Sequence, residues 1–297
     1  MRASVAFAAA LDLLIGDPAS LAHPVTMMGA AIRVGEPFAR RYIRDEALAG
    51  AALALGVIGA AALTGRIVRR WAPLRVVTSA STLAVGSLID HLVPVRDALE
   101  RGDLPSARAA LARCVGRDTE GLDEAQIARA AIETLAESLC DGVVAPLLFL
   151  RFLGLAGALA YKAINTLDST IGHIEPPYAR FGRFAARVDD VANVVPARVS
   201  ALLIAACAPL GGGRVLRALR CWRTDGRKHR SPNAGVSEAA MAGALGVRLG
   251  GNNTYDGVAH ASPELGAAFA SPSARDVGRA MEIVFSASIV AIACASW

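Results

Sequence analysis

The sequence predicts an all-α, polytopic integral membrane protein with an amphipathic helical insertion and polar, site-forming loops. Three observations point there. The 297 residues are 54% hydrophobic and only 19% charged, with a mean hydropathy of +0.42, well to the apolar side of an ordinary soluble domain. Residues 47–65 run without a charge between "RRYIRDE" and "RIVRR", long enough to cross a hydrocarbon core of about 30 Å. No segment alternates apolar and polar residues as a half-buried strand would.

The elements follow in order. The opening "MRASVAFAAALDLLIGDP" has one early arginine and a short apolar stretch interrupted by Asp12, so it reads as retained rather than cleaved. The uncharged run at 47–65 is the first span. Residues 94–142 carry apolar positions at 132, 135 and 139 among many charges. They predict a soluble amphipathic helical insertion with a turn at Gly102 to Pro105.

A second span, "VVAPLLFLRFLGLAGALAY" (143–161), contains Arg151. A mid-membrane guanidinium costs roughly 2.5 to 3.5 kcal/mol on insertion scales, so Arg151 is expected to face the bundle interior. The stretch 199–213 is short and holds Pro209 and three glycines, as a re-entrant segment would. The C-terminal "IVFSASIVAIACASW" closes the chain as a further span. No linker or low-complexity tract divides residues 1–297, which read as a single membrane-embedded domain.

Five scattered cysteines show neither a disulfide framework nor a zinc spacing. Basic residues concentrate in "RVLRALRCWRTDGRKHR" (214–230). Because lysine and arginine are retained on the cytoplasmic side of membranes, this segment places the polar site there, in the bacterial cytoplasmic membrane. No nucleic-acid partner is expected.

Four polar clusters stand out, because a charge in an apolar chain must be paired or put to use. "YKAINTLDST" sets Lys162, Asn165, Asp168 and Ser169 within about two helical turns. Glu133, Glu137 and Asp141 fall at i, i+4 and i+8. Glu133 reads as a solvated face, while Glu137 and Asp141 read equally as cation ligands or surface acids. "ARVDDVANVVPAR" places Asp189, Asp190 and Asn193 within about one turn, the hard-oxygen set that Mg²⁺ prefers when it also holds a phosphate, with Arg198 close by.

"SPNAGVSEAAMAGALG" opens a helix whose first amides, around Ala234 to Ser237, could cradle an anion beside Ser231, Asn233 and Glu238. Gly243 and Gly246 suit ligand approach or close packing equally. Near the start, Asp12, Asp17 and His23 flank Gly16, Pro18 and Pro24, which fix turns.

With these residues in hand, the chain resembles the CobD/CbiB family of cobalamin biosynthesis, the membrane-embedded adenosylcobinamide-phosphate synthases. The resemblance runs through "DLLIGDP" with "HPVTMMG", "VGRDT", "ESLCDGVVAPL", "YKAINTLDSTIG", "FGRFAARVDDVANVVPAR" and "SPNAGVSEAAMAGALGVRLGG" followed by "YDG". It implies an amide-forming ligase that joins the propionate carboxylate of (adenosyl)cobyric acid to aminopropanol or aminopropanol phosphate, giving cobinamide or its phosphate. A carboxylate is a poor electrophile and an ammonium is no nucleophile, so ATP, Mg²⁺ and a base are expected.

In that scheme Asp189, Asp190 and Asn193, with Glu137 or Asp141, hold Mg²⁺ on the triphosphate. Lys162 and Arg198 neutralise phosphoryl charge, and Asp168 or His23 is the base. Asp12, Asp17, Asn165, Ser169, Ser231, Asn233 and Glu238 contact substrate. The expected partners are the corrinoid, the amine, the lipid bilayer and other membrane enzymes of the pathway. None of His23, His173, His229 and His260 is an expected cobalt ligand. No P-loop is present. The rivals are a Mg²⁺-dependent intramembrane prenyltransferase, which would carry two matched acidic motifs, and a non-catalytic transporter.

Overall fold

The structure is a computed structural model describing residues 2–15, 23–173 and 175–297. In chain order its helices are α1 (Arg2–Ile15), α2 (Pro24–Tyr42), α3 (Glu46–Val68), α4 (Ala72–Ala80), α5 (Val85–Glu100), α6 (Leu104–Leu111) and α7 (Glu124–Ser138). A π-helical turn, Leu139–Val144, joins α7 to α8 (Ala145–Ile171). Then come α9 (Arg183–Ala192), α10 (Val194–Cys207), a 3-10 turn Ala208–Gly211, α11 (Val215–Asp225) and α12 (Ala234–Leu245). A hairpin, β1 (Leu249–Tyr255) and β2 (Val258–Leu265), precedes α13 (Ala274–Ser296).

Helix dominates, as the composition requires. Among the described residues five segments are long and apolar enough to cross a membrane: Glu46–Val68, Ala72–Glu100, Glu124–Ile171, Val194–Gly211 and Ala274–Ser296. The second was not foreseen, since a non-helical break after α4 and the charges along α5 interrupt its apolar signal. The helical run expected over 199–213 begins earlier, at Val194, so 18 residues are available to it.

The chain forms two compact units. The first comprises residues 1–84, 145–194 and 292–297. In it α3 packs on α8 and α2. Asp45 caps α3 by accepting from the Leu48 amide at 2.9 Å, and glycines let its backbone come close to its neighbours. A Cβ at Gly50 would overlap the Phe181 carbonyl, and one at Gly65 would lie 2.6 Å from the Ala156 Cα. On another face Leu48, Leu55 and Leu63 are exposed, a stripe suited to lipid. α8 is interrupted at Gly154, whose φ of 67° is left-handed and open to glycine at little cost.

The second unit comprises residues 85–144 and 195–291. Its centre is α7, started by a capping box in which Asp123 and Gln126 bond each other's backbone amides at 2.8 Å. Ile127, Ala128, Ala131, Ile132, Leu135 and Ala136 are all fully buried. The segment 94–142, expected as a soluble insertion, thus holds the end of α5, α6 and the core helix of this unit. The expected turn is present, with α6 starting at Leu104 under the Asp103 cap.

The hairpin is the one departure from helix among the described residues. Its two-residue turn, Asp256–Gly257, has both φ values positive at 48° and 77°, the geometry that matches strand twist. "YDG" carried this signal, but the flanking strands are largely polar and gave no alternation to read. A register shift at Leu249/Gly251 coincides with left-handed Gly250 and Gly251.

Candidate functional site

In the first unit the polar residues gather on α8, α9 and their junction with α10. α8 carries "YKAINTLDST" whole, continuing to Ile171. The hydroxyls permit this, because Thr166 and Thr170 donate to the carbonyls of Lys162 and Thr166 at 2.7 and 2.6 Å and Ser169 donates to that of Thr166 at 3.1 Å. Lys162, Asn165 and Ser169, at i, i+3 and i+7, share one helix face, with Asp168 beside it. The first two and Asp168 are half-buried, and Ser169 is exposed.

One turn of α9 carries Asp189 and Asp190, and Asn193 caps its end. Asn193 is buried, donating to Asp189 Oδ2 at 2.9 Å and accepting from the Tyr161 hydroxyl at 2.9 Å. Tyr161 is itself fully buried and stacks on Phe149 with ring centroids 4.9 Å apart. α8 and α9 are therefore locked together through a tyrosine, an amide and a carboxylate. Burial pushes the Asp190 carboxyl above the usual range, with Arg187 opposing.

Asp12 is buried on α1, whereas Asp17 lies outside the described residues. His23 is the N-cap of α2, its Nδ1 accepting from the Val25 amide at 3.3 Å. That bond occupies one of the two ring nitrogens a base would use.

In the second unit a buried polar set joins α7, α12 and the hairpin. Glu133 is not on a solvated face: it is 5% exposed. Its Oε2 lies 2.8 Å from Arg117 and its Oε1 accepts from the Gly250 amide at 2.8 Å. Arg117 also donates to Asn253 Oδ1 at 2.9 Å, and Arg129 bonds the Gly250 and Asn252 carbonyls. The expectation failed because i, i+4 spacing gives a face but not what covers it, and here the hairpin covers it.

Glu238, in the middle of α12, is buried. Burial first, then the charges of Glu133 and Glu137, hold its carboxyl well above the usual range, with Arg117 opposing. Glu137 is exposed and Asp141 is half-buried within the π-helical turn, a distortion frequent at functional sites.

The start of α12 differs from the expected anion cradle. Ser231 Oγ accepts from the Asn233 and Ala234 amides at 3.3 Å each, and the Val236 amide is bonded to the Asn233 carbonyl. Arg198 donates to Asn233 Oδ1 at 2.6 Å and to the Pro232 carbonyl at 3.2 Å. Ser231 and Asn233 thus belong to one turn, which Arg198 braces from α10. Gly243 serves packing, since a Cβ there would lie 2.6 Å from the Cys221 Cβ, and Gly246 is the left-handed C-cap.

Among the described residues no three or more His, Cys, Asp or Glu side chains converge as a self-sufficient metal site. The donor set fits a Mg²⁺–nucleotide better than a bare ion. Mg²⁺ on a polyphosphate keeps several waters and needs only one or two carboxylates. Asp189 and Asp190 can supply those, while Asn193 is committed to Tyr161 and Asp189.

The family model described as CobD/Cbib protein matches residues 5–284. The chain belongs to this family. CobD/Cbib relatives match along most of their length. The cobalamin biosynthesis protein CobD of Geobacter metallireducens is 48% identical over 273 residues, 89% of this chain and 86% of that protein. Those of Brucella suis and Mycobacterium tuberculosis are 41% and 42% identical, covering 93% and 91% of this chain and 90% and 87% of theirs. No solved structure matches.

Within this CobD/Cbib chain, sequence reasoning passed over Arg117, Arg129 and Tyr161. Arg117 stands in "VGRDT" and Tyr161 opens "YKAINTLDST", but their partners are 16 to 136 positions away, beyond any local spacing rule.

Proposed function

We propose that this CobD/Cbib chain, a membrane protein of cobalamin biosynthesis, forms the amide between the propionate carboxylate of (adenosyl)cobyric acid and aminopropanol or aminopropanol phosphate. The observation that carries this reading is the family match along nearly the whole chain, residues 5–284, which takes in every polar cluster described above. Bound ATP with Mg²⁺ would supply the activation that turns the carboxylate into an acyl donor.

The chain's residues have the following parts. Asp189 and Asp190 hold the cation, and Glu137 and Asp141 offer a second carboxylate pair. Lys162 stabilises negative charge on phosphoryl oxygens, and Asn165 and Ser169 orient the polar end of the substrate from the same helix face. Asp168 removes the proton from the attacking ammonium. It is preferred to His23, whose Nδ1 is spent on capping α2. Arg198 and Ser231 hold the turn that presents Asn233, and Glu238, whose carboxyl burial holds well above the usual range, faces a substrate oxygen. The site is proposed to face the cytoplasm.

The test is direct. Detergent-solubilised protein is incubated with cobyric acid, aminopropanol phosphate, ATP and Mg²⁺, each omitted in turn, and corrinoid products are followed by mass spectrometry. A new amide that needs all four supports the reading. Product without ATP overturns the activation scheme, and no product with either amine overturns the ligase.

A further inference from the structure

In the first unit a cavity of about 880 Å³ is walled by Val5, the ends of α3 and α4, and α8 around its break. That volume lies within the range of small-molecule sites. Arg69, Arg75 and Arg151 all line it, and no carboxylate does. Among the described residues none of the three guanidiniums has an ion pair. Arg151 instead lies 5.7 Å from the Phe152 ring centroid.

Two buried polar groups in this wall are unsatisfied. Ser79 is 1% exposed and its Oγ has no hydrogen-bond partner, and neither does the buried Nε of Arg75. A buried donor left unpaired is costly, and in native proteins it calls for an explanation. Gly154 adds a third feature, because α8 resumes after it, so Leu155 and Ala156 bring the positive end of a helix to the same wall. Hydroxyl, guanidinium and helix start are all donors, and the remaining wall is apolar, from Leu150, Leu153 and Leu155.

We propose that this cavity binds a phosphoryl group carried on a body that can lie against the apolar wall. Arg75 and Arg151 make charge-assisted hydrogen bonds to its oxygens and Ser79 donates a third. Two sources share this chemistry: the headgroup of an anionic phospholipid, and a soluble phosphate. Fork-shaped guanidinium donors match a phosphate's oxygens.

The test uses the full-length protein in detergent. Native mass spectrometry follows titration with phosphatidylglycerol, with phosphatidylcholine as reference, and calorimetry follows titration with inorganic phosphate. Saturable one-to-one binding of phosphatidylglycerol over phosphatidylcholine assigns the site to lipid, and saturable binding of inorganic phosphate assigns it to a soluble ligand. Either affinity should fall about tenfold or more in Arg75→Gln and in Arg151→Gln. It should fall less in Arg151→Lys, which keeps the charge but not the fork, and be unchanged in Arg220→Gln, on the exposed face of α11. Absence of saturable binding of both probes to the unaltered protein overturns the proposal. Unchanged binding in Arg151→Gln and Ser79→Ala, with melting as in the unaltered protein, overturns it equally.

Discussion

The Arg117 guanidinium and the Glu133 carboxylate meet at 2.8 Å with side chains only 12% and 7% exposed. The same carboxylate holds the Gly250 amide of the hairpin. One acid thus ties a loop before α7, α7 itself and β1 into a single buried knot. Its stability value lies less in the pair than in the harm of breaking it.

Arg117→Met alone should therefore destabilise the protein by about 1 to 3 kcal/mol, since it leaves the buried Glu133 carboxylate with only the Arg129 guanidinium at 3.8 Å and the Gly250 amide. Glu133→Gln, which keeps an acceptor for Gly250, should cost less. Adding Glu133→Leu to Arg117→Met should recover part of the loss. Thermal unfolding in detergent across the four proteins checks the order, and a double variant no more stable than Arg117→Met alone would contradict it.

Glu238 makes stability depend on pH. Its folded carboxyl titrates well above the usual range, so between the unfolded value of about 4.5 and the folded one the native state binds the extra proton. Stability from this group is full at low pH and falls as pH rises through that window. Glu238→Gln should flatten the fall, raising the melting temperature at pH 8 more than at pH 5. Parallel melting profiles of the two proteins would refute this.

Gly50 and Gly56 give a matched pair on α3. A Cβ at Gly50 would overlap the Phe181 carbonyl, whereas nothing lies within 4 Å of one at Gly56. Gly50→Ala should cost about 1 to 3 kcal/mol or more by overpacking. Gly56→Ala should be neutral or stabilising by up to about 1 kcal/mol, as expected for a helix interior. Equal melting temperatures for the two variants would be inconsistent with this packing.

Lys162→Ala and Tyr161→Phe should separate chemistry from architecture. The first removes the cation proposed to meet phosphoryl oxygens and should lower amide formation about 100-fold or more while melting is unchanged. The second takes a donor from buried Asn193 and should cost about 1 kcal/mol of stability with a smaller loss of turnover. The ligase assay and a melting curve on each variant decide it.

Much of this was legible in sequence where a signal is local. The uncharged run of α3 depends on composition alone, and the turn before α6 on Gly102, Asp103 and Pro105. Membership of the CobD/Cbib family was legible in the order of short polar strings. What escaped depends on distant partners. Glu133 looked solvated because the hairpin that covers it lies more than a hundred residues on. Ser231, Asn233 and Arg198 were all singled out, but that Arg198 braces the turn of the other two follows only from their contacts.

The interleaved course of the chain bears on how the protein is made. The first unit begins with residues 1–84 and is resumed only at 145–194, after the first part of the second unit has been threaded between. A nascent chain leaving the ribosome must therefore hold α1 to α4 without α8 while α5 to α7 emerge, and α7 must wait in turn for α12 and the hairpin. Neither unit can be obtained by cutting the gene at one point. During synthesis the charged residues of α7 wait for partners encoded at the far end of the message, an interval in which a membrane insertase or chaperone has something to guard.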